Sequence, residues 1–96
     1  MDSRHELLEK LKILAQEIDK AMNIVDDEKI GYLENYKIRI ESIAAKLQDG
    51  VLPASKGGLL GTMRAISEYD SLAGIKSLYD AVADVDLFYS KYCYEW

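Results

Sequence analysis

Apolar residues in this chain recur every three or four positions almost from end to end, a period that admits little besides helices. Leu7, Leu11, Leu14, Ile18, Ala21 and Val25 alternate four and three apart, and Leu8, Ala15 and Met22 widen the stripe on one side. Ser3 followed by Glu6 has the form of a capping box. The spacing predicts a first helix over about residues 4–25. A second stripe, Ile30, Leu33, Tyr36, Ile40, Ile43 and Leu47, is out of phase with the first. Continuing the first register would bury Glu28, Tyr32, Asn35, Arg39, Ser42 and Lys46 instead. The slip falls at Asp26-Asp27-Glu28, which suit an N-cap and the positive end of a new helix dipole. The chain is expected to break there and return as an antiparallel helix over 27–48, with one long kinked helix as the alternative.

That second helix has a clear end. Asp49-Gly50 supplies a C-terminal glycine, Val51 can make the accompanying apolar contact, and Pro53 forbids continuation. Ser55 is the expected N-cap of a third helix over about 56–69, with Leu59, Leu60, Met63, Ile66 and Tyr69 on its apolar face. Asp70 or Ser71 can cap a fourth over about 71–94, carrying the heptad Ile75, Leu78, Val82, Val85, Tyr89, Tyr92, Trp96. The join between these two is weakly marked, because Ile66, Tyr69, Leu72 and Ile75 also fit one bent helix. The expected fold is all-α, a single domain built as an antiparallel up-and-down bundle of four helices. The runner-up has three, with the last two fused.

Charge narrows the partners. The chain has 12 Lys and Arg against 17 Asp and Glu, a formal −5. Residues 1–48 carry −2 (8 basic, 10 acidic) and residues 49–96 carry −3 (4 basic, 7 acidic), so neither half offers a basic face to a phosphate backbone. The N-terminal residues lack the apolar core of a signal peptide, and no stretch reaches the ~18–20 apolar residues of a membrane span. A single cysteine, Cys93, allows no intrachain disulfide. A cytoplasmic protein that binds neither nucleic acid nor membrane is expected.

Few residues suit catalysis. The segment Ser55-Lys56-Gly57-Gly58-Leu59-Leu60-Gly61-Thr62 is glycine-rich, but no Gly-Lys-Ser/Thr closes it and no strand pattern precedes it. Gly57, Gly61 and Ala65 fall at i, i+4 and i+8, which on a helix makes a small-residue seam for a neighbour. Asp80, Asp84 and Asp86 form a carboxylate set, with Asp80 and Asp84 one turn apart and able in principle to hold a hard cation. A di-metal bundle would need Glu-x-x-His motifs, whereas the one histidine is His5. The three aspartates read as a solvated acidic face. Cys93 has no histidine near it in sequence and reads as a small buried thiol. Neither an enzyme nor a metal- or cofactor-binding bundle is expected.

The aromatic residues say more. Phe88, Tyr89, Tyr92, Tyr94 and Trp96 crowd the C-terminal end. Tyr89, Tyr92 and Trp96 share the core register and could plug a bundle, while Phe88 and Tyr94 do not. Tyrosine and tryptophan dominate protein interfaces, and an acidic helix studded with them suits a basic partner. The expectation is a non-catalytic protein–protein interaction module (an adaptor, regulatory subunit or inhibitor) with Asp80, Asp84, Phe88, Tyr92, Tyr94 and Trp96 as its partner-binding residues. A homodimer that completes the bundle is also compatible with the wide apolar band of the first helix. In length and helix count the chain resembles the bacterial immunity proteins that neutralise toxins or bacteriocins. That resemblance implies the same kind of contact surface on the last helix.

Overall fold

The breaks in periodicity become chain reversals. The computed structural model describes residues 3–56 and 61–93. It contains α1 Ser3–Met22, α2 Asp27–Gln48, α3 Thr62–Ser67, α4 Asp70–Ala73 and α5 Lys76–Tyr92. The described residues include no strand. Three of these helices are long and two are short, and no helix among the described residues is long and apolar enough to cross a membrane.

α1 is the centre of the packing and runs along both α2 and α5. Its stripe of Leu7, Leu11, Leu14, Ile18 and Ala21 is at most 1% exposed, as the spacing implies. Val25 packs against the core partly buried and beyond the helix end, because after Met22 the backbone tightens: Asn23 N–H donates to Lys20 O at 3.1 Å and Ile24 N–H to Ala21 O at 3.0 Å. Asp26 then caps α2, its side chain accepting from Lys29 N–H at 3.1 Å. Asp27 and Glu28 lie in the first turn of α2, where the helix dipole favours negative charge. The single kinked helix is thereby excluded.

At the far end of α2, Gly50 takes φ +74° and a Schellman pair forms. Gly50 N–H donates to Leu47 O at 3.2 Å and Val51 N–H to Lys46 O at 3.0 Å. The apolar contact differs from the expected one, since Val51 is exposed and Leu52 is buried in its place.

The third helix is shorter than its pattern. Lys56 and Gly61 take positive φ (49° and 83°), and helix begins only at Thr62. Ser55, the expected N-cap, is tied to the end of α5, and the amides it would cap lie outside the described residues. Its N–H donates to Cys93 O at 2.8 Å and its hydroxyl to Ser90 O at 3.1 Å, while Tyr89 O–H reaches Pro53 O at 2.6 Å. Pro53 and Ser55 are thus stitched to the end of α5. Gly61 lies outside any helix, so the Gly57/Gly61/Ala65 seam does not form as a helical face; Gly57 itself falls outside the described residues.

The fourth segment is also divided. Tyr69 (φ −120°, ψ 120°) and Ile75 (φ −82°, ψ 96°) are extended and flank the single turn α4. That geometry rules out fusion with α3, and it makes Tyr69, not Asp70 or Ser71, the residue preceding the turn. The two bends allow Leu72, Leu78 and Ile66 all to reach the core.

α5 runs antiparallel to α1. Lys10 pairs with Asp84 at 2.9 Å, and seven residues further along α1, Glu17 meets Ser77, seven residues back along α5. Replacing the cap, Asp26→Ala, should lower unfolding free energy by about 1 kcal/mol, while Asn at the same position should cost far less. Urea denaturation of the three proteins checks this.

Candidate protein-binding groove

The rotation of α5 about its own axis decides which side chains face solvent. Leu78, Val82, Val85 and Tyr89 point inward and are buried. The heptad places Tyr92 next in line, yet Tyr92 is 57% exposed and Cys93 is buried in its stead. A straight α-helix drifts about 20° per heptad, so two heptads beyond Leu78 the strict repeat has left the core. Of the residues expected to plug the bundle, Tyr89 does so and Tyr92 does not, while Trp96 lies outside the described residues, as does Tyr94 of the expected partner-binding set.

The three aspartates separate completely. Asp80 is exposed beside Lys76 (3.6 Å, one turn away), and Asp84 is exposed and paired with Lys10. Asp86, expected on the same solvated face, is fully buried. It accepts hydrogen bonds from the Thr62 hydroxyl and from Met63 N–H, the latter at 2.9 Å. Gly61, the residue at the N-cap position of α3, has no side chain to cap it, so Asp86 of α5 does so across the fold. Tyr36 O–H of α2 donates to Thr62 O at 3.1 Å, tying a third helix into the network. The burial had a sequence signal, since Asp86 stands four residues after Val82 and three before Tyr89. Its partner, 24 positions away, had none.

On the opposite flank of α5, Asp84, Phe88 and Tyr92 succeed one another at one-turn intervals and face Ser3, Glu6 and Lys10 of α1. Together they line a cleft of about 440 Å³. The Phe88 and Tyr92 rings lie 5.0 Å apart with planes 31° from parallel, forming a continuous aromatic shelf. Lys10 Nζ sits 5.2 Å from the Phe88 centroid while bound to Asp84, and Lys91 Nζ lies 5.5 Å from that of Tyr92. Because the Asp84 side chain is 56% exposed, its ion pair contributes only about 0–1 kcal/mol. Further along α1, Lys20 beside Glu17 holds that carboxyl below its ordinary range. The groove therefore gathers Asp84, Phe88 and Tyr92 from the expected site, adds Glu6 and Lys10 from α1, and leaves Asp80 outside.

A second, smaller cleft of about 270 Å³ is lined by Tyr32, Asn35, Tyr36, Arg39 and Ala65. Its tyrosine hydroxyls are already engaged, with Tyr32 O–H donating to Ala65 O at 2.5 Å and Tyr36 O–H to Thr62 O. Among the described residues no three His, Cys, Asp or Glu side chains converge as metal ligands. Cys93 is a buried free thiol. No family model matches the chain, and neither a curated protein nor a solved structure does.

Two outcomes follow from the buried network. Asp86→Ala strands the Thr62 hydroxyl and the Met63 N–H and should cost about 2–5 kcal/mol, against less than about 0.5 kcal/mol for Asp80→Ala; urea unfolding measures both. Burial raises the pKa of Tyr36, with the nearby Asp86 carboxylate adding to the shift, and burial likewise raises those of Tyr32 and Tyr89. Folding thus favours the neutral phenols. Their contribution is complete below the ordinary value of 10.0 and is lost as pH climbs toward the folded-state values. Absorbance titration at high pH should show a class of tyrosines that ionises only as helical circular dichroism disappears.

Proposed function

We propose that this chain is a non-catalytic protein-interaction module whose contact surface is the groove between α1 and α5. The observation that carries the reading is Tyr92, more than half exposed and stacked on Phe88 one turn from the Asp84 carboxylate. A large aromatic residue left open beside an aromatic neighbour and a negative charge offers apolar area, a π-face and an anion together. Interface hot spots combine these features. The partner would be a protein with a basic contact segment, in keeping with the net charge of −5.

In this reading α3 and α4 stand in for one broken helix of an up-and-down four-helix bundle, in which α1 and α5 present the groove. The buried thiol of Cys93 and the lack of any second cysteine support a cytoplasmic setting.

Affinity capture from the source cells with the wild-type chain, Tyr92→Ala and Leu87→Ala tests the reading. Leu87 is as exposed as Tyr92 but belongs to the opposite side of α5. Tyr92→Ala should release the captured protein at least tenfold more readily while shifting the melting temperature by no more than about 2 °C. Leu87→Ala should behave as wild type. Retention by Tyr92→Ala with loss by Leu87→Ala would move the interface off the groove. Self-capture of the chain, disrupted by the same Tyr92 change, would replace the foreign partner by a second copy.

A further inference from the structure

Lys10 already does, within the chain, what a basic partner would do from outside. Its ammonium reaches over from α1, binds Asp84 Oδ2 at 2.9 Å and rests 5.2 Å from the Phe88 centroid. We propose that Lys10 is a tethered occupant of a cation subsite formed by Asp84, Glu6 and the Phe88–Tyr92 shelf, and that an arginine of a basic protein segment takes the subsite by displacing it. This rests on the reading of the groove as the contact surface and specifies what enters it.

Three features favour arginine. Lys10 is a point charge that engages one oxygen of Asp84, and among the described residues nothing else engages that carboxylate. A guanidinium can hold a carboxylate through two parallel N–H donors while stacking flat on a ring. The shelf supplies the flat surface, since the two rings lie only 31° from parallel and Tyr92 stands open to solvent. Glu6 lines the same cleft and has no cationic partner among the described residues, so a second anion is in place for an incoming charge. The Lys10–Asp84 pair is surface-exposed on the aspartate side, so exchange of one cation for another needs no unfolding.

The test is titration of the full chain with a hexa-arginine peptide, followed by amide and side-chain NMR. Lys10→Met should tighten binding by roughly two- to fivefold, because the internal competitor is gone. Lys12→Met makes the same change in net charge two residues along α1 and on its other side, on a lysine paired with Glu9 at 3.6 Å, and should change affinity far less. Asp84→Asn should weaken binding by more than Asp80→Asn does. Shifts should centre on Phe88, Tyr92 and the Lys10 side chain. Equal effects of Lys10→Met and Lys12→Met, or shifts spread evenly over the acidic surface, would overturn the subsite and leave only attraction to net charge. If Tyr92→Ala abolishes partner capture in that case, the interaction reading survives without the subsite. If Lys10→Met alone tightens the peptide while Tyr92→Ala leaves partner capture intact, the subsite holds as a cation site and the interaction reading fails.

Discussion

A single buried carboxylate, Asp86, settles the arrangement of the second half of the molecule. α3 is six residues long and starts from a glycine, so its first amides have neither an intrahelical acceptor nor a local cap. Asp86 supplies the acceptor from α5, and in return the Thr62 hydroxyl and the Met63 amide compensate a charge that has been taken out of water. Each side needs the other: neither a short uncapped helix nor a lone buried carboxylate is stable by itself. Tyr36 adds α2 to the same knot by donating to Thr62 O. Such a network holds three separate helices in one relative position, which apolar contacts alone would specify less sharply.

The consequence for the surface is rotational. With Asp86 fixed inward on one flank of α5, the residues two positions before and after it turn away on the helical wheel, and Asp84, Phe88 and Tyr92 fall on the flank that meets α1. The antiparallel pairing of α1 with α5 then places Glu6 and Lys10 opposite them. An acidic, aromatic groove is thus the outer counterpart of an inner hydrogen-bond network. Lys10 partly closes it, and the exposed face of Tyr92 keeps it open to a partner. The smaller cleft near Tyr32 and Tyr36 differs, because its hydroxyls are spent on the backbone of α3.

Local chemistry was legible in the sequence and long-range pairing was not. The 3.6-residue period identified the buried stripes of α1 and α2, and Asp26 and Gly50 marked their ends because caps act within four residues. The same logic misplaced the start of α3. Gly61, at φ +83°, sets that start at Thr62, and Ser55 is drawn to Ser90 and Cys93, 35 and 38 positions away. Asp86 was grouped with Asp80 and Asp84 by residue type, although its own spacing from Val82 and Tyr89 pointed inward. Tyr92 shows the limit of heptad reasoning on a single straight helix, where the repeat drifts off the core within two periods. Asp84 and Phe88 were recognised as surface candidates, whereas their neighbours across the groove, Glu6 and Lys10, carried no signal until α1 and α5 were paired.

Native-state hydrogen exchange at the Met63 amide tests the central role of Asp86 most directly. A first-turn amide in a six-residue helix ordinarily exchanges almost freely, having no carbonyl one turn behind it. With its proton held by buried Asp86, Met63 should instead exchange only on global unfolding, at rates matching the core amides of α5. Exchange within about tenfold of the unprotected rate would contradict this, showing that α3 opens independently and that Asp86 does not hold it in place.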